Sequence, residues 1–389
     1  MPTQSIVHVV FLIFTGTAIL STMALFTRQS LLVAYMALGA LLGPWGLQLV
    51  KDSSIIKETG DIGILFLLFL LGLHLQPQNL LLSLKKMSWI TVISSFVFLL
   101  MGFGVGYYFG FNFIESMVIG ITTMFSSTII GLKLLPTTVL HHQHTGELMI
   151  SILLLQDLIA IGVLMILRAI GDRAVSFHDI GFIISAFPIL ISVAYVFQRY
   201  ILSKLLMRFD QVHEYIFILS IGWCLCMAEL SHFMGLSEEI GAFIAGITLA
   251  SNPISLYIAE SLKPLRDFFL VIFFFTIGAG FNFGYLPEII VPALVLAILV
   301  LLGKPFVFGW LMHKSGEAKT ISWEVGVRLG QISEFSLLVI YLALETKIIS
   351  PATTYMVQAA TMLTFIGSTY WVTMRYPTPM AATDKLRRD

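Results

Sequence analysis

Apolar residues along this chain run in blocks of roughly twenty, long enough to cross a bilayer as helix and far longer than a strand. Short polar stretches separate them. To within a few residues the blocks fall near 6–26, 30–50, 60–76, 88–110, 113–134, 146–170, 179–199, 213–232, 237–252, 264–283, 286–312, 321–345 and 351–374. The pattern predicts an all-α polytopic membrane protein of about thirteen transmembrane helices, since a helix in lipid satisfies its own backbone. Several connections are very short, so neighbouring helices are expected to run antiparallel.

The pattern also repeats. "LGALLGPWGL" (38–47) in the second block resembles "IGAFIAGITLA" (240–250) in the ninth, and "LFLLFLLGLHL" (65–75) in the third resembles "LVIFFFTIGAG" (270–280) in the tenth. Order and spacing agree, which predicts two six-helix units: repeat one over about 1–170 and repeat two over about 213–375, with a linker helix near 179–199. A seven-helix offset inverts the second unit, a building plan of secondary transporters. Chance recurrence of glycine-rich helix packing is the plainer alternative.

Composition sharpens this picture. Of 389 residues 58% are hydrophobic and 11% charged, against about a quarter charged in soluble proteins. No soluble fold hides so much apolar surface. Lys and Arg together number 22, as do Asp and Glu, so net charge is zero and implies no nucleic-acid partner. Fifteen of the cations fall in one set of alternate loops and five in the other, which predicts an external N-terminus and a cytoplasmic C-terminus. Cys224 and Cys226 point to different sides of one helix and suggest neither a disulfide nor a CxxC site. "MPTQSIVH" lacks a basic n-region, so the first block is expected to be retained rather than cleaved.

Candidate chemistry lies in the few polar residues inside the apolar blocks. "LLLQDLIAIG" (153–162) puts Gln156 and Asp157 near the middle of the sixth predicted helix. Burying an unpaired carboxylate there costs at least several kcal/mol, about the scale that marks intramembrane acids as ion or proton sites. A structural pair with a basic neighbour is the alternative. The fifth block carries Ser126, Ser127, Thr128 and Gly131 in "MFSSTIIGLKLLP", and the twelfth carries Gly330, Gln331, Ser333 and Glu334 in "RLGQISEFSLL". Each is the fifth member of its repeat. Interrupted polar helices at corresponding positions point to a transporter's binding site, where unwound carbonyls can coordinate cations.

Two cations fall inside predicted spans. Lys304, before Pro305, can titrate, pair with a carboxylate, or brace a broken helix by donating to freed carbonyls. Arg328 lies near a predicted membrane edge, where long cations snorkel. Its partners are Glu324 one turn back or Glu334 deeper in. Weaker signals are His141, His142 and His144 in a loop, which suit either a pH sensor or a solvated segment, and Glu238 and Glu239, which suit a helix start.

"LLLQDLIAI", "SSTIIGLKLL", "RLGQISEFSLL" and "YIAESLKPLRDFFLVIFFFTIGAGFNFG" (257–284) resemble the membrane domain of Kef-type potassium/proton antiporters, within the second monovalent cation:proton antiporter family. The likeness covers essentially the whole chain. It implies an NhaA-like fold with a mobile core, about 88–170 and 286–374, and a dimerisation part, about 1–76 and 213–283. By the same resemblance, two broken helices are expected to cross in that core. It further implies that Asp157 is the cation- and proton-binding aspartate with Gln156 its preceding polar residue, that Lys304 matches a lysine on the helix before the second broken one, and that the protein is a homodimer in a bacterial inner membrane. Kef-type systems continue into a cytoplasmic nucleotide-binding domain, which the 389 residues do not contain, and a regulatory role for Glu260 is therefore not carried over.

The physical expectation is competition for one carboxylate. Desolvation favours a neutral acid and a bound cation favours its ionised form, so the site holds H⁺ or a metal ion but not both. Asp157, Gln156, Ser126, Ser127 and Thr128 are the expected ion- and proton-binding residues, with K⁺ or Na⁺ at Asp157. Lys304, Gln331, Ser333 and Glu334 are expected to support the broken-helix core. With one central acid, exchange is expected to be electroneutral. Potassium/proton antiport is the first reading, sodium/proton antiport the second, and a ligand-gated channel or sensor on the same scaffold a third. Partners are monovalent cations, protons and membrane lipid. No cofactor is expected, and no nucleophile–base cluster suggests an enzyme.

Overall fold

Long apolar runs without a hydrophilic face fold as helices that can cross a bilayer. The computed structural model describes residues 6–50, 54–74, 77–134, 143–171, 177–234, 236 and 238–378. Helix is the only extended regular structure among them. Among the described residues six helical stretches are long and apolar enough to cross a membrane: Ile6–Phe26, Met87–Tyr108, His144–Leu164, Ala186–Arg208, His213–Phe233 and Phe283–Lys314. Shorter apolar helices follow the same composition, Leu31–Leu42, Phe113–Met124 and Ile240–Ala250.

Contacts divide the chain into two units. The first comprises Met1–Thr17, Tyr35–Leu82 and Asp172–Gly280. The opening helix α1 (Ile6–Phe26) and the next, α2 (Leu31–Leu42), each contribute to it in part, and α3 (Ser54–His74) lies within it. The second comprises Ala18–Ala34, Ser83–Gly171 and Phe281–Asp389. It holds most of α4 (Pro77–Tyr108), then α5 (Phe113–Met124), α6 (Thr128–Lys133) and α7 (Gln143–Gly171). The first unit resumes with α8 (Phe177–Phe197), which runs through a π-helical turn (Gln198–Leu202) into α9 (Ser203–Arg208). It ends with α10 (His213–Phe233), α11 (Glu238–Ala250) and α12 (Ser255–Ala279). The second unit closes with α13 (Leu286–Lys314), α14 (Lys319–Arg328), α15 (Glu334–Glu345) and α16 (Pro351–Arg375).

Within the first unit, α2 packs on α12 and α3 on α11 through glycines. A Cβ on Gly39 would stand 1.9 Å from the Phe275 carbonyl oxygen, and one on Gly278 1.9 Å from that of Met36. Gly72 and Gly246 bring α3 and α11 together in the same way, 2.5 Å from the Phe243 oxygen and 2.1 Å from the Phe69 oxygen. Close backbone approach of this kind is how helices pack where lipid is as apolar as the side chains. Cys224 is buried and Cys226 exposed on α10, as opposite-facing positions require.

Within the second unit, a hydrophobic cluster joins α4, α7, α13 and α14. It includes Phe98, Met149, Ile152, Leu153, Phe308, Val325 and Leu329. Phe98 meets Phe308 edge-on at 5.1 Å. On α7 the buried positions Met149, Leu153, Gln156 and Ala160 follow helical spacing, so the inward stripe carries Gln156 to the interior.

Several boundaries differ from the pattern. The fifth and twelfth apolar blocks, expected to be interrupted, are each two helices, α5 with α6 and α14 with α15. The tenth helix begins at Ser255, about nine residues before the apolar block, and passes through Pro264. Its early turns are polar on one side, yet Ile258, Ala259 and Leu262 bury an apolar stripe that block-reading overlooks. The second ends at Leu42, just before Gly43 and Pro44 interrupt the helical ladder.

Candidate ion site at two helix breaks

Each break is made by a serine that starts a new helix. After α5, Phe125 takes an extended conformation (φ −91°, ψ 146°). The Ile130 amide then donates to Ser127 Oγ at 3.1 Å, capping α6. After α14, Ser333 is extended (φ −89°, ψ 156°), and the Phe335 amide donates to its Oγ at 3.1 Å, capping α15. The polar triplets are therefore legible as N-caps inside apolar blocks.

Breaking a helix frees backbone groups that need partners where water is absent. Here side chains from neighbouring helices supply them. Gln156 on α7 spans the first break: its Oε1 accepts from the Ser126 amide at 3.0 Å, and its Nε2 donates to the Met124 carbonyl at 2.9 Å. Lys304 on α13 serves both breaks. Its Nζ donates to the carbonyls of Phe125 (2.6 Å) and Gln331 (2.9 Å) and to Ser126 Oγ (3.2 Å). The ammonium also lies 5.2 Å from the centre of the Phe98 ring.

The breaks are tied to each other as well. Ser126 Oγ donates to the Leu329 carbonyl at 2.9 Å, Gln331 Nε2 to the Ser127 carbonyl at 3.3 Å, and Ser336 Oγ to the Thr122 carbonyl at 2.6 Å. Helix α16 completes the cradle: the Ile332 amide donates to Thr364 Oγ1 at 3.1 Å, and Ser368 Oγ donates to Gln331 Oε1 at 2.9 Å. Thr361, Thr364 and Ser368 share one face of α16. Their spacing was visible in "TMLTFIGS", but buried Thr and Ser more often bond their own helix, and sequence reading passed them over.

Asp157 sits beside this crossing, 2% exposed. Thr128 Oγ1, at the start of α6, donates to its Oδ2 at 3.4 Å. The carboxylate forms no ion pair among the described residues, since Lys304 is directed at the breaks instead. A second carboxyl, Glu334, is buried at the amino end of α15. Among the described residues no three His, Cys, Asp or Glu side chains gather as a metal cluster.

The geometry divides the expected site residues by task. Asp157 and Thr128 face each other. Gln156, Ser126 and Ser127, expected as ion ligands, are engaged by the backbone and by Lys304 because the breaks need their hydrogen bonds. Many freed carbonyls likewise receive protein donors rather than standing open. Lys304 and Gln331 reach across the crossing, and Ser333 caps α15.

Arg328 does not snorkel. It is 1% exposed, with Nε and Nη2 each 2.9 Å from Glu324 Oε1, and so takes the nearer of its two expected partners. His144 is exposed at the start of α7, its Nε2 2.8 Å from Glu317 Oε2. His141, His142 and Pro136 lie outside the described residues. Sequence reading also missed Glu115, whose Oε1 accepts from the Ser350 amide at 2.9 Å and ties the start of α5 to α16.

Comparison with known proteins gives this arrangement a family. The model of the family described as "Sodium/hydrogen exchanger, transmembrane" matches residues 10–375. The chain is 26% identical over 354 residues to the iron transporter MagA of Paramagnetospirillum magneticum, covering 90% of this chain and 81% of that one. It is 27% identical over 336 residues to K(+) efflux antiporter 5 of Arabidopsis thaliana, covering 82% of this chain and 58% of that one. It is also 27% identical over 392 residues to the glutathione-regulated potassium-efflux system protein KefC of Salmonella arizonae, covering 97% and 62%. The chain thus spans less than two thirds of the length of both efflux proteins. Its fold is similar to that of the sodium proton antiporter MjNhaP1 from Methanocaldococcus jannaschii, with a TM-score of 0.71 and 16% identity over 95% of this chain and 99% of that one. With a family match running almost from end to end, the chain belongs to the transmembrane sodium/hydrogen exchanger family.

Proposed function

We propose that this protein exchanges a monovalent cation, K⁺ first, for a proton across a membrane, with H⁺ and the cation competing for Asp157 during alternating access. The observation that carries the reading is a buried carboxylate beside two crossed helix breaks, with a hydroxyl for company and no basic partner among the described residues. An acid so placed accepts a proton or a cation at similar cost, because either removes its charge from a medium that solvates charge poorly. Thr128 Oγ1 is the second oxygen offered to the ion. Gln156, Ser126, Ser127, Lys304, Gln331 and Ser333 hold the crossing so that these two oxygens keep their geometry. Water carried with the ion completes its shell, since the broken-helix carbonyls are largely engaged.

The preference for K⁺ rests on the efflux antiporters among the relatives. Na⁺ is the second reading, favoured by the family's description and by the fold of MjNhaP1. The second contact-defined unit is the ion-carrying core and the first the dimerisation part. The matched glycine crossings of α2 with α12 and α3 with α11 support two inverted six-helix repeats within a thirteen-span fold. The protein is a homodimer in a bacterial inner membrane, with its N-terminus outside.

Cation-dependent proton efflux from proteoliposomes, scanned over K⁺, Na⁺, Rb⁺ and Li⁺, tests the reading. Asp157→Asn is expected to abolish exchange, by about a hundredfold or more, while leaving the protein folded by thermal melting. Normal exchange by that variant would end the assignment, and currents far above carrier turnover would replace it with a channel.

A further inference from the structure

We propose that Arg328 is a positioning residue for the cation site, acting through the six-residue helix α6; the inference rests on the exchange reading above. Arg328 carries a permanent charge, is 1% exposed, and has Glu324 as its acid partner on the same helix. A plain one-turn pair needs nothing more. Yet Nη1 also donates to the Leu134 carbonyl and Nη2 to the Pro377 carbonyl, each at 2.8 Å. The guanidinium therefore joins three segments of the second unit: α14, the end of α6, and the chain just past α16. The Tyr376 ring lies beside it, 5.6 Å from Cζ.

Helix α6 is the segment with most to gain. Six residues span about 9 Å, far below the length at which an isolated helix is stable. Ser127 caps its amino end, and Arg328 takes the carbonyl at its carboxyl end. Thr128, the first residue of α6, touches Asp157 at 3.4 Å, near the long limit for such a bond. A shift of a few tenths of an ångström along so short a rod makes or loses that contact. Arg328 thus fixes the reach of the Thr128 hydroxyl from the opposite end of the helix. A lysine keeps the charge but lacks the planar fork that serves several acceptors in fixed directions.

The test is a double-mutant cycle in proteoliposomes with the full chain, using Arg328→Gln and Thr128→Val. Each single variant is expected to raise the apparent KM for K⁺ about tenfold while the maximal rate falls less than about threefold. The double variant is expected to match Thr128→Val alone, because Arg328 then has nothing left to position. Arg328→Lys should lie between wild type and Arg328→Gln. Effects that multiply in the double variant, or a lowered melting temperature with unchanged KM, overturn the inference. Should Arg328→Gln not fold, amide hydrogen exchange in Arg328→Lys decides. Faster exchange at residues 131–134, with α7 still protected, supports positioning, and unchanged protection of α6 refutes it. This arm needs no transport. A wild-type protein without cation-dependent proton flux would sink the proposed function, and the α6 result would still be read on its own.

Discussion

At the residue scale, the site depends on which donor answers which freed carbonyl. Gln156 and Asp157 are adjacent and both buried, yet the amide closes a break while the acid stands beside it. Gln156→Leu keeps the volume and strands the Ser126 amide and the Met124 carbonyl. Each buried unmet group costs about 1–3 kcal/mol. A melting temperature lower by several degrees is therefore expected, together with exchange reduced at least about tenfold as Ser126 and Lys304 lose their register. Gln156→Glu would restore an acceptor for Ser126 but not a donor for Met124, so it should recover only part. Full activity with unchanged melting in Gln156→Leu would show that the break holds without its clamp. The sequence announced these polar residues by their company, since each interrupts hydrocarbon. It did not announce their tasks, because the distances between Gln156 and Ser126, or Lys304 and Gln331, are set by how separate helices pack.

At the element scale, polar residues interrupting two apolar blocks made both broken helices legible, and the structure shows that serines cap their second halves. The supporting face of α16 was not legible. Its Thr364 and Ser368 resemble helix-satisfied hydroxyls until the second break is seen opposite them. Glycines show the converse case, where the sequence signalled importance and the structure supplied the reason. Gly278 brings α12 against the α2 backbone, where a Cβ would stand 1.9 Å from the Met36 oxygen. Backbone on both sides cannot yield as a flexible side chain does. Gly278→Ala is thus expected to destabilise by about 1–3 kcal/mol, despite a gain in helix propensity of about 1 kcal/mol. Gly162 on α7 has nothing within 4 Å, so Gly162→Ala is the matched control and should be neutral or slightly stabilising. Equal melting temperatures for the two variants would mean that the α2–α12 approach contributes little.

At the scale of the whole molecule, the number of exchangeable charges decides whether membrane potential drives transport. One central acid predicts electroneutral exchange, but Glu334 is a second buried carboxyl in the same unit. Its place at the amino end of α15 matters here. Helix dipoles stabilise negative charge at that end, whereas Asp157, in the middle of α7, meets only the start of the six-residue α6, through Thr128. On the proposed exchange reading Asp157 trades its charge for a proton or a cation before it crosses the barrier, and Glu334 is not expected to be exchanged. Moving one net charge through 100 mV is worth about 2.3 kcal/mol, roughly a fiftyfold bias. Exchange in proteoliposomes is therefore expected to change less than about twofold when the potential is stepped between zero and 100 mV. A strong dependence that disappears in Glu334→Gln would make Glu334 a second proton carrier. A strong dependence that persists there would mean that charge crosses with the ion by a route that Asp157 alone does not neutralise.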